Sequence, residues 1–448
     1  MSLQENIDQA GTPLALLTAG SVDVSNVFPY PPVYTNWRDE QRAWAQTAVI
    51  LNQSFHMSDL FISGPDVRRL LSDTSVNSYQ NFRAGTAKQY IAVNHEGYLV
   101  GDSILVALSD HEVTVAGFEH TLNWLEYHGE SGGYDVTFSR DPASTGDPGT
   151  KRLYRYELEG PHAWQILEEA AGAPLDRIRF FHIGTFTIAG RTVTALNHTM
   201  GGVPGQADTG LELFGPAEDT DEVIGAILAA GEKLGLVRGG AKAYLSTIAE
   251  SGWMGGVVPA VYTSETLRAY REWLPGTALE NFGLAIATGS FHPETMEGYY
   301  TTPWDLGYGH VIKFDHEFIG RQALQQLAEH PPRQKVWLLW NQDDTERIVV
   351  DSELGRPNAP KLLPFPATVS RDQVLIGDRL VGVTQYHGYT VNIGGWVSVA
   401  SLDTTEAVDG TEVEILWGDA DGGAGNPLVP AHVQTRVRAT VSRRSPKG

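Results

Sequence analysis

Two periodicities run along this chain, and one replaces the other after Pro332. Upstream, apolar residues recur mainly at helical spacing. In residues 38–51, Trp44, Ala48 and Leu51 share a face, which predicts a helix running from the knot Asn36-Trp37-Arg38-Asp39-Glu40 toward Gln53 and His56. Gly64-Pro65-Asp66 opens a shorter helix carrying Val67, Leu70 and Leu71. Residues 161–171 hold Trp164 and Leu167 and stop at Gly172, a C-terminal cap. Residues 220–234, 264–274 and 319–330 give three more helices, the last ended by Pro331-Pro332. Strands are expected at 90–93 and 98–108 around the turn Asn94-His95-Glu96-Gly97. Beyond the double proline, short runs at 336–340, 374–376, 380–385, 396–399, 412–417 and 436–441 alternate with turn pairs such as Gly377-Asp378. That pattern predicts an all-β module of roughly a hundred residues, a barrel or a sandwich. Residues 145–151 and the acidic, glycine-rich 419–426 read as exposed loops.

Composition narrows the class. A chain of 448 residues exceeds one ordinary core, and a prior of ~150 residues per domain suggests about three domains. Hydrophobic content of 42% and charged content of 19% are those of a globular protein. No apolar run approaches the ~20 residues of a membrane span, and MSLQENIDQAG lacks the features of a secretory signal. A net charge of −22 repels nucleic acid and anionic membranes, so neither is an expected partner, and the absence of cysteine is compatible with the cytoplasm, the expected compartment. With no cysteine, disulfides, thiolate metal sites and cysteine nucleophiles are excluded. The 14 histidines form no His-Glu-x-x-His pattern, so no metal is expected, and Gly-x-Ser-x-Gly is absent. Gly201-Gly202-Val203-Pro204-Gly205 reads as a turn rather than a phosphate loop.

Three stretches mix polar groups with apolar ones. Gln53 and His56, three apart, would project onto one face if the helix continued, a pairing suited to a polar ligand. A lone histidine is more often a hydrogen-bonded core residue. Gly210–Pro216 holds Glu212 within an apolar strand-like run, either as an exposed strand residue or as a buried acceptor for N–H donors. Ala241-Lys242-Ala243-Tyr244-Leu245 leads to Glu250-Ser251-Gly252-Trp253-Met254.

Further motifs carry a resemblance. Gly298-Tyr299-Tyr300, Thr302-Pro303-Trp304-Asp305-Leu306-Gly307-Tyr308-Gly309 and Phe318-Ile319-Gly320-Arg321-Gln322-Ala323-Leu324 resemble, in order, blocks of the folate-binding T-protein of the glycine cleavage system. Val381-Gly382-Val383-Thr384 resembles the opening of that family's C-terminal barrel motif. Residues 34–42, 53–57 and Tyr244 to Trp253 are similar to the branch that demethylates methoxylated aromatics with tetrahydrofolate. The resemblance implies an α+β, three-domain cloverleaf with a C-terminal β-barrel and with tetrahydrofolate in the central channel. The domains would be 1–60 with 150–275, 61–149 with 276–332, and 333–448.

On the same resemblance, Glu212 binds the pterin edge, Trp253 packs on substrate or folate, and Asp102 matches one of a pair of aspartates whose other position is Gly101. Nitrogen-5 of tetrahydrofolate attacks the carbon while a phenolate leaves, so the leaving oxygen needs a donor. Tyr244 is the expected donor, with His56 donating or orienting it and Tyr30 as a second phenol; Gln53 faces the substrate. Benzoate demethylases carry an arginine where Phe118 stands, and a phenyl ring cannot hold a carboxylate. The expectation is therefore a neutral aromatic substrate. Cleavage of a methylenedioxy bridge, as in a sesamin-like lignan, ranks slightly ahead of methyl ether cleavage. A non-catalytic folate-binding protein is the alternative from another class.

Overall fold

The protein was analysed as a computed structural model, which describes residues 2–18, 30–143, 151–198, 210–254, 257–282, 288–424 and 429–446. The glycine cluster 201–205 and all of the expected loop 145–151 except Lys151 lie outside the described residues.

Three sheets carry the fold. A six-stranded sheet pairs, in order, Leu236–Gly239, Ala48–Asn52, Leu153–Glu159, Gly210–Pro216, Arg191–Leu196 and Ile183–Ile188. A five-stranded sheet pairs Ala87–Val93, Leu99–Ser109, Glu112–Gly117, Ser58–Ser63 and Thr137–Asp141. The third is built from strands between Arg333 and Ser442 and closes on itself where Arg379–Thr390 pairs with Gly395–Asp403, giving a six-strand barrel with one short strand attached. The helix Gln342–Glu353, capped by Asn341, interrupts this module, which is therefore not all-β. Only Asp344, Thr345 and Ile348 of that helix are buried, too thin an apolar stripe to show as a helical pattern.

The expected helix over 38–51 is corrected. A helix covers Trp37–Gln46, started by Asn36, whose side-chain oxygen accepts the Arg38 N–H at 3.0 Å. Ala48–Asn52 is instead a strand, paired on both sides with Leu236–Gly239 and Leu153–Glu159. Its residues Ala48 to Leu51 are buried on both faces, so the run shows no alternation and mimics a buried helix turn in sequence. Gln53 and His56 consequently lie on no helix; they sit in residues 53–57, which cross from the six-stranded sheet into Ser58–Ser63 of the five-stranded one.

Alternation in the six-stranded sheet sorts its side chains. Ala48, Ile50, Leu158, Leu211 and Leu213 pack with the helices Ala163–Ala171 and Thr220–Gly231. On the opposite face, Val49 and Leu51 pack with Trp44 and Tyr244 from the helices Trp37–Gln46 and Ala241–Ser251. Farther along that face, Leu196 and Phe214 meet Ala87 and Val106 of the five-stranded sheet. Between these two apolar contacts stand Arg155, Glu157, Glu159 and Glu212, all buried.

Candidate active site

Residues 53–57 and the helix Ala241–Ser251 bring the first pair together: His56 Nε2 lies 2.8 Å from the Tyr244 hydroxyl. Burial pushes the Tyr244 phenol well above its ordinary value, with Tyr30 and Glu157 adding to the shift. A hydrogen bond from Gln53 and the charge of Arg155 act in the opposite direction. His56 is pushed down to about 3, first by burial and then by Arg155 and Lys151. At neutral pH the pair is thus a protonated phenol against a neutral imidazole. Tyr30 is raised too, by burial and by Tyr34 and Tyr156.

Gln53 is fully enclosed and donates from Nε2 to Glu157 Oε2 at 2.7 Å. Glu157 faces Glu212 directly across the paired strands. Arg155 bonds both Asp59 and Glu212, and its guanidinium sits 5.1 Å over Phe214. His198 Nε2 lies 2.6 Å from Glu212 Oε2; burial is the leading cause that lowers its pKa, so a neutral imidazole donates this bond. Among the described residues, Glu157, His198 and Glu212 form the one group with metal-ligand atoms all within 4.8 Å. Arg155 already supplies a positive charge to Glu212, so the trio is read as carboxylates anchored by protein donors.

A second carboxylate stands on the five-stranded sheet. Asp102 Oδ2 accepts from Gln89, from Trp253 Nε1 at 3.1 Å and from the Tyr308 hydroxyl at 2.7 Å. Burial raises its pKa to about 6, opposed by those three bonds and by Lys335. Its other oxygen, Oδ1, is buried without a hydrogen-bond partner. Next to it, a Cβ on Gly101 would come within 2.5 Å of the His120 ring and of Thr121 Oγ1. The glycine at that position makes room for His120, whose ring stacks on Phe118 at 6.0 Å and 8°. Burial holds His120 down at about 4.

The structure therefore groups Gln53, His56, Tyr244 and Tyr30. Trp253, which packs with the Tyr244 cluster, hydrogen-bonds Asp102. Phe118 reaches this assembly through His120 and Gly101. Sequence reasoning missed Arg155, Glu157 and His198. Arg155-Tyr156-Glu157-Leu158-Glu159 alternates charge with bulk, which in a sequence reads as a solvated strand face; pairing with Gly210–Pro216 buries it. Reduced pterins present N–H donors along one edge, and buried acceptors such as Asp102 Oδ1 and Glu212 suit them.

Comparison with known proteins agrees with this architecture. The profile of the GCVT N-terminal domain matches residues 15–255. A syringate O-demethylase of Sphingobium sp. is 40% identical over 98% of this chain and 95% of its own length. A sesamin methylene transferase of Sinomonas sp. is 27% identical over 95% of this chain and 92% of its own. The crystal structure of the glycine cleavage system aminomethyltransferase T from Bartonella henselae superposes with a TM-score of 0.62 at 15% identity, covering 99% of this chain and 98% of that one. The sequence-derived α+β T-protein fold is the fold observed. The chain belongs to the GCVT family and is an enzyme of it, a tetrahydrofolate-dependent one-carbon transferase.

Proposed function

We propose that this enzyme removes the methyl group of an aromatic methyl ether, releasing a phenol and 5-methyl-tetrahydrofolate. The observation that carries the reading is the His56–Tyr244 pair, 2.8 Å apart, with the phenol protonated. Tetrahydrofolate, when bound, supplies the amine nitrogen that takes the methyl carbon. Tyr244 donates to the ether oxygen that leaves as a phenolate; its raised pKa keeps the proton on the phenol until the leaving oxygen takes up charge. His56 is neutral at working pH and is therefore no acid; in its Nε2-protonated tautomer it donates to the Tyr244 oxygen. Gln53 acts in the same sense, favouring the phenolate form of Tyr244. The His56 donor leaves the Tyr244 O–H free to point at substrate and supports the negative charge the oxygen acquires on giving up its proton. Glu212 and Asp102 would hold the pterin, and Trp253, fixed by Asp102, would flank it.

The higher identity to the O-demethylase, 40% against 27%, supports methyl over methylene transfer, reversing the order suggested by sequence. At the Phe118 end, His120 is neutral, and Arg140, which bonds the neighbouring Glu119, is already paired with Glu119 and Glu126. These features support a neutral ring substituent there. A carboxylated ring is the second reading, favoured by the relative that acts on syringate. The reaction is assigned to the cytoplasm.

Anaerobic incubation with tetrahydrofolate and four aromatics tests all three points: a neutral methoxyphenol, its benzoate analogue, a neutral methylenedioxyphenyl lignan and a methylenedioxybenzoate. The expected folate product, by mass spectrometry, is 5-methyl-tetrahydrofolate from the neutral methoxyphenol. Formation of 5,10-methylene-tetrahydrofolate instead overturns methyl transfer, and preference for a benzoate establishes the second reading.

A further inference from the structure

We propose that Glu40 is a positioning residue of the reaction: its carboxylate fastens a strap, residues 30–35, across the start of the helix Ala241–Ser251 and so fixes Tyr244 against the leaving oxygen. The inference rests on the O-demethylase reading. Glu40 closes the knot Asn36-Trp37-Arg38-Asp39-Glu40 and is fully buried. Backbone N–H groups hold it. Its Oε1 accepts the Tyr34 and Thr35 N–H groups at 2.7 and 2.8 Å, and its Oε2 accepts the Gly240 N–H at 2.9 Å. Burying a carboxylate is costly unless its donors are complete, and these three bonds to a charged acceptor offset that cost.

The carboxylate joins segments 200 residues apart in sequence. Residues 30–35 form no helix or strand and present Pro31, Pro32, Tyr34 and Thr35 to solvent, so their inward bonds decide where they lie. The Pro31 and Pro32 carbonyls accept the Ala241 and Lys242 N–H groups at 3.2 and 3.0 Å, donors that a first helical turn leaves unpaired. Gly240, whose N–H goes to Glu40, accepts the Tyr244 N–H on its own carbonyl at 3.0 Å. A single residue thus separates Glu40 from the backbone of Tyr244. The strap lies so close that a Cβ on Gly240 would come within 2.5 Å of the Pro32 carbonyl oxygen. Beyond this joint the Tyr244 hydroxyl meets His56 Nε2 at 2.8 Å. An O–H that must reach a leaving oxygen as its bond breaks tolerates little displacement, so a shift of this first turn acts on proton donation. Glu212 and Asp102 stand on strands outside the joint.

Two substrates of unequal leaving group separate proton donation from general damage. They are the methoxyarene turned over best in the incubation described above and its analogue with a nitro group para to the methoxyl; for 2-methoxyphenol the analogue is 2-methoxy-5-nitrophenol. The nitro group spreads the leaving charge and lessens the need for a proton. Glu40→Gln turns an amide N–H2 toward one of the backbone N–H groups, donor against donor. It is expected to lower kcat about 30-fold for the parent compound and about threefold or less for the nitro compound, with the Kd of tetrahydrofolate within about twofold. Gly240→Ala, which wedges the strap away with Glu40 intact, should give the same split and carries the test if Glu40→Gln does not fold. A purely structural role reduces the amount of active enzyme and lowers both rates by one factor. Equal loss on the two substrates, or unchanged kcat in a folded variant, overturns the proposal. Failure of the O-demethylase reading shows separately, as absence of the 5-methyl product from every methoxyarene with the wild type.

Discussion

At the scale of single residues, the site depends on which groups keep or lose their protons. Tyr244 is raised by burial and keeps its proton; His56, lowered to about 3, stays neutral down to strongly acidic pH. Tyr244→Phe removes the donor to the leaving oxygen while keeping the ring's packing. It is expected to lower kcat by ~10²–10⁴ with tetrahydrofolate binding within about twofold. A variant of near wild-type turnover would remove Tyr244 from the mechanism. Asp102 titrates near 6 because burial outweighs its three donors. Protonation takes away an acceptor, so kcat/KM is expected to fall as pH drops through about 6. Asp102→Asn should abolish that limb, and persistence of the limb in this variant would assign it elsewhere. His56 contributes no limb in this range.

At the scale of elements, one strand carries chemistry because its neighbours bury it. Arg155, Glu157 and Glu159 share a face with Glu212 only through the register of Leu153–Glu159 against Gly210–Pro216. A slip by one residue would turn the whole row into the apolar face formed by Leu158, Leu211 and Leu213. The five-stranded sheet shows a similar dependence at Gly101. Gly101→Ala would drive a methyl into the His120 ring, which is backed by Phe118. The expected outcome is a stability loss of about 1–3 kcal/mol in denaturant unfolding and a raised KM for the aromatic substrate. Unchanged KM would detach Phe118 and His120 from substrate binding.

For the whole molecule, the barrel is tied to the helices that hold the site. Gln41, fully buried, donates to Ser246 Oγ at 2.8 Å and to the Tyr389 carbonyl at 3.0 Å, and accepts the Val391 N–H at 3.0 Å. Glu250 accepts from Trp44 Nε1 at 2.9 Å and Thr390 Oγ1 at 2.7 Å. Gln41→Ala strands barrel backbone groups and is expected to cost about 2–4 kcal/mol in denaturant unfolding, with kcat reduced as Tyr244's helix loosens. A loss below about 0.5 kcal/mol would show the tie to be dispensable. Stability should also depend on pH. His56, His120 and His128 sit at about 3, 4 and 4, below the ordinary 6.5, so on acidification the unfolded chain binds their protons first and stability falls. Asp102, raised to about 6, works oppositely, gaining stability as pH falls through 6. The histidines outnumber it, so the melting temperature is expected to drop between pH 7 and 4.5, more steeply in Asp102→Asn. A flat profile would contradict these burials.

Much of this protein was legible in the sequence alone. Caps, breakers and period placed helices such as Val67–Thr74, Ala163–Ala171 and Arg321–Glu329, and turn pairs placed the barrel strands, because those signals act within a few residues. Motif order carried the family and the cofactor, and Glu212, Tyr244 and His56 stood out as polar groups in apolar company. Tertiary structure alone decided the rest. Ala48–Asn52 is a strand because two neighbouring strands pair with it, information absent from its own residues. Glu157 and Arg155 are buried because a facing strand and a second sheet cover an alternation that by itself looks solvated. Burial and proximity between distant segments set the protonation of His56, Tyr244 and Asp102, and neither is encoded at any single position.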